Sequence, residues 1–178
     1  MKMILKYLVS PTLIIIAAVL LRLVPHEPNV APIGAMALFG GAYLSKKQAL
    51  TIPIFVMIIS DLFLGFHTTV FWVYGSFLLT GVLGLLLRDK VSLTSVLWAS
   101  LASSIIFYLI TNFGVWFSTS LYPKTFQGLS QSYLMALPFF RNTLLGDLFY
   151  NGVFFGGYAL VKSFVGNYAV SEVKTSNP

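Results

Sequence analysis

Residues 70–87 read VFWVYGSFLLTGVLGLLL, and the charged triplet Arg88-Asp89-Lys90 follows directly. The run contains no charged side chain, and it is as long as the roughly 17 to 20 apolar helical residues that a bilayer core of about 30 Å requires. Because the charges come only at its end, the stretch predicts a transmembrane helix that stops at the membrane surface near Arg88.

The composition of the whole chain agrees with this prediction. Of the 178 residues, 57% are hydrophobic and 9% are charged, and the mean hydropathy is +0.86. A soluble domain carries about a quarter charged residues, so a soluble globule and a disordered chain are both excluded. The net charge of +6 follows membrane topology, as shown below, and does not indicate nucleic-acid binding. The chain has no cysteine, which excludes disulfides and thiolate chemistry.

Outward from residues 70–87, further apolar runs are separated by prolines, glycines or charges. They predict six membrane spans, at residues 7–24, 31–44, 49–64, 70–87, 93–117 and 143–165. The second run is short and rich in alanine and glycine. The first run ends without a small-x-small cleavage site, so we expect a retained helix rather than a signal peptide. We therefore expect one all-α domain at residues 1–166 and a polar cytoplasmic tail at 167–178.

Positive charges are distributed unequally between the two sides of such a bundle. With the N-terminus inside, most of them lie on the cytoplasmic side: Lys2, Lys6, Lys46, Lys47, Arg88, Lys90, Lys162 and Lys174. The others, Arg22, Lys124 and Arg141, lie on the outer side. Because cytoplasmic loops carry the excess of Lys and Arg, the pattern predicts a six-transmembrane-helix bundle with both termini in the cytoplasm.

Residues 118–142 form the longest predicted connection, between the fifth and sixth spans. A loop of about 25 residues is unusual in a compact chain and commonly has a function. Its aromatic and leucine side chains need burial. We therefore expect a partly helical outer loop that lies on the bundle and acts as a lid.

Polar side chains gather near the outer ends of the predicted spans. Asp61 lies about one turn from the outer end of the third span, and Asp147 about one turn below the outer start of the sixth. Ionisable groups inside a bilayer are costly and usually face a bundle interior or a cavity. We therefore predict one outward-facing substrate-binding site, formed by Asp61, Asn112, Trp116, Arg141 and Asp147, with Arg22, Asn29 and His67 at its edge.

Two kinds of helical spacing add to this prediction. Thr143, Asp147 and Asn151 recur at every fourth position and form one polar stripe on the sixth span. Gly152 and Gly156 have the GxxxG spacing that allows close helix approach, either within the chain or toward another membrane subunit.

Structural roles for the charged residues stay open. Arg22 with Asp61, or Arg141 with Asp147, would stabilise the bundle as ion pairs without binding a solute.

Metal chemistry and enzymatic chemistry have little support in the sequence. His26, His67, Asp61 and Glu27 are suitable ligand types, but no two of them have a local ligand spacing such as H-x-x-x-H. The histidines suit interfacial loops better, so we expect no metal site. No P-loop, H-E-x-x-H or G-x-S-x-G motif occurs, and we expect neither a cofactor nor an enzymatic activity.

The region from Arg22 to Gly157 carries a set of short motifs. In order they are Arg22-x-x-Pro25-His26-x-Pro28-Asn29, Ala35-x-Ala37-Leu38-Phe39-Gly40-Gly41, Ser60-Asp61, Gly65-x-His67, Thr111-Asn112-Phe113-x-Val115-Trp116, Tyr122-Pro123-x-Thr125, Pro138-Phe139-Phe140-x-Asn142 and Gly146-Asp147-Leu148. Together they resemble an uncharacterised bacterial family of transport-type membrane proteins. That family is similar to the substrate-binding (S) components of energy-coupling factor transporters.

The resemblance implies a protein of the bacterial cytoplasmic (inner) membrane that binds a small solute, such as a vitamin or nutrient precursor, from the outside. In S components, a shared membrane coupling protein and separate ATPase subunits supply the energy, so the resemblance implies these partners as well. Many S components carry an Ala-x-x-x-Ala docking pattern on the first helix, whereas here Ala31 and Ala35 have that spacing at the start of the second. The alternative is a structural or assembly membrane protein without transport activity.

Overall fold

A computed structural model describes residues 29–164, together with Ile16, Leu20, Leu21 and Glu27. Within residues 29–164 the secondary structure is entirely helical, which confirms the predicted all-α class. The five helices are α1 (Ile33–Tyr43), α2 (Lys46–Leu64), α3 (Val70–Leu87), α4 (Leu93–Ser118) and α5 (Phe126–Asn151). A π-helical turn, Gly152–Gly156, continues α5, so helical backbone extends to Phe164. Most of the predicted first span, Arg22 and the predicted tail at 167–178 lie outside the described residues.

Hydroxyl side chains determine where three of the helices begin. Ser45 and Gln48 form a reciprocal capping box at the start of α2, and Ser92 and Ser95 form one at the start of α4. Each pair satisfies backbone N–H groups that have no partner within the first helical turn. Thr125 accepts a hydrogen bond from the Gly128 amide at 3.1 Å and so begins α5.

In the part of the chain that the structure describes, four helices are long and apolar enough to cross a membrane: α2, α3, α4 and α5 with its extension to Phe164. Their outer faces carry exposed apolar side chains, such as Phe71 and Leu93, while hydroxyl groups such as Ser76 and Ser100 are buried between them. This distribution is the reverse of that in a soluble protein and is typical of membrane helices, which pack through small polar residues. The chain is thus a multi-pass membrane protein.

The short helix α1 lies at the centre of the bundle. It contacts all four long helices, and every residue from Ile33 to Ala42 is buried. A helix that is apolar on all sides is expected to be buried on all sides. Its 11 residues span about 16 Å at 1.5 Å per residue, which is about half of a bilayer core.

Glycines bring α1 and α3 into backbone contact. A Cβ added to Gly41 would lie 2.5 Å from Gly84 Cα, and one added to Gly84 would lie 2.8 Å from Gly41 Cα. Just beyond this contact, the Arg88 guanidinium donates to the carbonyl oxygens of Gly41, at 3.1 Å, and of Leu44. A cation near the C-terminus of a helix stabilises the carbonyl groups that have no partner within that helix. Arg88 therefore holds the end of α3 against the end of α1.

The predicted long outer loop at residues 118–142 is wrong. Only residues 119–125 link α4 to α5, and the rest of the segment belongs to α5. Pro138 lies inside this helix, although Pro123 and Pro138 are typical of a connection between spans. Membrane helices tolerate proline because neighbouring groups satisfy the freed carbonyls. The Tyr108 hydroxyl donates to the Tyr133 carbonyl oxygen at 2.8 Å and helps to hold this part of α5 against α4. The predicted lid is therefore not present as a loop.

The GxxxG pair lies in the π-helical turn. Gly152 and Gly156 are exposed, and among the described residues no atom lies within 4 Å of a Cβ added at either position. Close packing of this pair against another described helix is therefore not observed.

Candidate functional site

A cavity of about 370 Å³ lies among all five helices, and we call it the main cavity. Its described lining residues are Asn29, Ala31, Ile33, Gly34, Met57, Leu64, His67, Val73, Phe77, Thr80, Ser103, Phe107, Thr143 and Asp147. The cavity therefore combines aliphatic and aromatic walls with a few polar groups, which is the usual composition of a small-molecule site.

The main cavity has an exposed rim and a buried floor. Asn29 and His67 are exposed and lie in the turns before α1 and before α3. The floor is polar: Thr80 and Ser103 are 1% and 2% exposed, and their hydroxyl oxygens are 2.9 Å apart. Asp147 lines the same cavity and is 4% exposed. The polar floor is thus reached from the end of the bundle where α2 ends and α3 begins.

Asp147 lies deeper than predicted. Because α5 begins at Phe126, Asp147 is near the middle of the helical run Phe126–Phe164 and not one turn below its start. The Ser104 hydroxyl, near the middle of α4, donates to Asp147 Oδ2 at 2.7 Å. On the other side, Asp147 Oδ1 lies against Gly34, where any added Cβ would overlap it. Asp147 is therefore held between α4 and α1, with its carboxyl group at the cavity.

A second polar contact joins α4 and α5 one helical turn away. The Asn151 amide nitrogen donates to the Ser100 hydroxyl at 2.9 Å. Asn151 is 1% exposed, and its Oδ1 has no hydrogen-bond partner among the residues that the structure describes. Two serines of α4 thus each bond to a polar side chain of α5.

A side cavity of about 260 Å³ adjoins the main cavity. The two cavities share four lining residues, which lie in the turn before α1 and on α3, α4 and α5: Asn29, Val73, Phe107 and Thr143. Asn112 lines the side cavity, and its amide nitrogen donates to the Tyr108 carbonyl oxygen at 2.8 Å. Four of the eight residues predicted at the site thus line the two adjoining cavities: Asp147 and His67 line the main cavity, Asn112 lines the side cavity, and Asn29 lines both.

Three other predicted site residues are placed elsewhere. Asp61 is 2% exposed and accepts a hydrogen bond from the Tyr74 hydroxyl at 2.8 Å, but it does not line either cavity. The Trp116 indole donates to the Pro123 carbonyl oxygen at 2.9 Å, beside the Lys124 ammonium group, which is 5.6 Å from the ring centroid. These contacts stabilise the link between α4 and α5.

Arg141 is the third of these residues, and its side chain is exposed. Asp147 is buried and bonded to Ser104, so Arg141 does not share its environment. The predicted edge residue Arg22 lies outside the described residues, and its suggested pairing with Asp61 does too.

Metal-binding chemistry has no geometric support in the part of the chain that the structure describes. No group of three or more His, Asp or Glu side chains comes together there. His26, one of the four residues considered as ligands, is not among the described residues.

Several lining residues had no part in the sequence-based prediction. They are small or hydroxyl-bearing, and they include Gly34, Thr80 and Ser103; Ser104 was missed as well, although it contacts the cavity residue Asp147 and does not itself line the cavity. Ser100, Ser103 and Ser104 are spaced three and four residues apart on an otherwise apolar span. That spacing places them on one helix face, and it was the signal that could have identified them.

Comparison with known proteins places the chain in a family without assigning an activity. No curated protein sequence and no solved structure is similar enough to match it. A family profile matches residues 3–170, nearly the whole chain. The chain therefore belongs to DUF6580, a family of unknown function.

Proposed function

We propose that this protein binds a small solute in the main cavity and takes part in its uptake across the bacterial cytoplasmic membrane. The observation that carries the proposal is the Asp147 carboxyl group, 4% exposed, at the floor of a cavity whose rim is exposed. A carboxyl group at mid-depth of a membrane bundle is costly and is commonly found at substrate or ion pathways. The sequence resemblance to S components supports the same function.

The proposed topology has six spans with both termini in the cytoplasm. Arg88 contacts the end of α1, so the ends of α1 and α3 lie on one side together with Lys46 and Lys47. The Trp72 indole at the start of α3 donates to the Ser118 hydroxyl at the end of α4 at 2.8 Å, on the opposite side. If the lysine-rich side is cytoplasmic, the rim of the main cavity faces outward.

Energy for uptake would come from other proteins. The chain has no P-loop, and we propose a membrane coupling protein and separate ATPase subunits as partners, with no enzymatic activity in this chain. Such a division of labour is the one that the resemblance to S components implies.

A second candidate function is a structural or assembly role. Both intramembrane aspartates accept hydrogen bonds from the protein itself, Asp61 from Tyr74 and Asp147 from Ser104. Bonds of this kind stabilise membrane bundles without any ligand. In this alternative the main cavity is a packing defect filled by water or lipid.

A ligand screen with a cavity-filling variant distinguishes the two functions. Purified protein is screened by thermal shift against vitamins and nutrient precursors, because a ligand that binds the folded state raises Tm. Val73 lines both cavities, so Val73→Phe fills the space where a solute would lie. Val82 is on the same helix and is 40% exposed, which makes Val82→Phe the matched control on the lipid-facing side.

We expect at least one solute to raise the Tm of the wild type and of Val82→Phe but not that of Val73→Phe. Intact cells that contain the wild type or Val82→Phe should take up the same radiolabelled solute, and cells that contain Val73→Phe should take up less of it. A Tm that no solute changes, with Val73→Phe as stable as the wild type or more so, contradicts solute binding and favours the structural role.

A further inference from the structure

We infer that the solute of the main cavity is an organic ammonium compound whose positive charge lies beside Asp147. The inference rests on the proposed function and specifies the substrate class of the same site.

The charge of the cavity supports this substrate class. Asp147 is the only carboxyl group among the described lining residues of the two cavities, and no Lys or Arg is among them. Burial of a lone carboxylate is unfavourable unless a cation or a proton compensates it. The Ser104 hydroxyl compensates one carboxylate oxygen in part, but it carries no charge. A ligand ammonium group would supply the missing opposite charge, whereas an anionic solute would be repelled.

Aromatic walls favour the same chemistry. Phe77 and Phe107 line the main cavity from α3 and α4, and their ring centroids are 5.3 Å apart. The faces of aromatic rings carry partial negative charge and attract organic cations, more strongly where water is excluded. A cavity that is lined by one carboxyl group and two phenyl rings is thus suited to an ammonium group with an apolar body.

The volume limits the size of the solute. An engineered cavity of about 150 Å³ holds one benzene molecule. By that scale the main cavity of about 370 Å³ holds about 15 non-hydrogen atoms, and a longer solute would extend past Phe107 into the side cavity. The floor hydroxyls of Thr80 and Ser103 are placed to bind one further polar group.

Matched probes that differ in charge test the inference. Tryptamine, tryptophol and indole-3-acetate share one ring system and end in an ammonium, a hydroxyl and a carboxylate group. Choline and its neutral analogue 3,3-dimethylbutan-1-ol provide a smaller pair. Binding of each probe to the full-length protein is measured by thermal shift near neutral pH, with potassium as the only added metal cation and again with sodium.

We expect at least one ammonium probe to raise Tm, and its neutral or anionic counterpart to raise it less or not at all. Asp147→Asn preserves the side-chain shape and removes the charge, and it should weaken that binding about tenfold or more, since hydrogen bonds to charged groups are the strong ones. Asp89→Asn is the matched control, because Asp89 is exposed in the turn after α3 and should leave binding unchanged.

Several outcomes overturn the inference. Equal or stronger binding of tryptophol or indole-3-acetate, or unchanged ammonium binding by Asp147→Asn, shows that another substrate class is bound while the proposed function stands. Stabilisation by sodium alone, with no effect of any ammonium probe, assigns Asp147 to a metal cation instead. If no probe of any charge and neither cation raises Tm, and the nutrient screen is also negative, the proposed function fails together with the inference.

Discussion

The Ser104 hydroxyl lies 2.7 Å from Asp147 Oδ2 and joins the middle of α4 to the last turns of α5. Gly34 of α1 lies against the other carboxylate oxygen and leaves no room for a side chain there. Three helices thus determine the position of one carboxyl group at the floor of the main cavity. A group held in this way has little freedom to move, so it can bind a ligand without a large loss of conformational entropy.

The first prediction concerns this hydrogen bond. Ser104→Ala should lower the free energy of unfolding by about 1 to 2 kcal/mol, since interhelical bonds in membranes average about 0.6 kcal/mol and bonds to charged groups are stronger. The measurement is equilibrium unfolding in mixed detergent. In a double-mutant cycle with Asp147→Asn, the effect of Ser104→Ala should become smaller, because the amide is a weaker acceptor than the carboxylate.

A matched change on the same helix provides the control. Ser103→Ala removes the contact with Thr80 but leaves Asp147 and Ser104 bonded, so its effect should add to that of Asp147→Asn. If the stability effects of Ser104→Ala and Asp147→Asn were also strictly additive, Ser104 and Asp147 would not be coupled in the folded protein.

The second prediction concerns Arg88. Arg88→Gln should destabilise the protein by about 1 to 2 kcal/mol, because the guanidinium interacts with the carbonyl groups at the end of α1 in a half-buried position. Lys90→Gln, two residues later, removes the same charge from an exposed side chain and should change stability by less than about 0.5 kcal/mol. Thermal unfolding of both variants gives the comparison, and equal effects would show that only net charge matters.

Much of the helical framework follows from local sequence. The apolar run at 70–87 ends at charges, and the structure has α3 over the same residues. The run at 93–117 likewise becomes α4, with a serine capping box at its start. Span length, caps and end charges are local properties, so one sequence is enough to predict them.

The error at α5 shows where local reasoning fails. Residues 118–142 contain Pro123, Gly128 and Pro138, and such residues predict a loop when contacts with the rest of the bundle are not considered. In the bundle, contacts with α4 such as the Tyr108–Tyr133 bond stabilise a helix that begins at Phe126. Because the helical run Phe126–Phe164 starts earlier than predicted, Asp147 lies near the middle of this run and not one turn from its start.

The candidate site was predictable only in part for a related reason. A polar stripe with period four identified Thr143, Asp147 and Asn151, and all three are buried. The partners of these residues come from distant parts of the chain: Ser104 contacts Asp147 and Ser100 contacts Asn151. Gly34 has no chemical function that a sequence motif would reveal, since its role depends on a neighbour more than a hundred positions away.

The third prediction concerns topology. We expect both termini and the turns at Lys46-Lys47 and Arg88-Lys90 to face the cytoplasm, and the link at residues 119–125 to face outward. Gln48 and Gln127 are exposed near these two sides, and the chain has no cysteine of its own. A single cysteine at Gln127 should therefore react with an impermeant maleimide in intact cells, while one at Gln48 should react only after the cells are opened. Labelling in the opposite order contradicts the proposed outward-facing cavity.

The fourth prediction compares two glycines on α3. A Cβ at Gly84 would lie 2.8 Å from Gly41 Cα and would also meet the Leu38 carbonyl oxygen, whereas one at Gly75 has no atom within 4 Å among the described residues. Backbone atoms cannot move aside as a flexible side chain can, so Gly84→Ala should force α1 and α3 apart. We expect a loss of about 1 to 3 kcal/mol, as for other overpacked sites.

Gly75→Ala adds the same methyl group at a position where no described atom lies within 4 Å. It should be neutral or stabilise the protein by up to about 1 kcal/mol, because alanine has the higher helix propensity. Since α1 also contributes Gly34 to the main cavity, displacement of α1 by Gly84→Ala should weaken binding of any solute that the cavity holds, and Gly75→Ala should not. Unfolding in mixed detergent and thermal shift with the bound solute measure the two effects separately. Equal stability of the two variants would show that the close contact between α1 and α3 does not exist in the membrane.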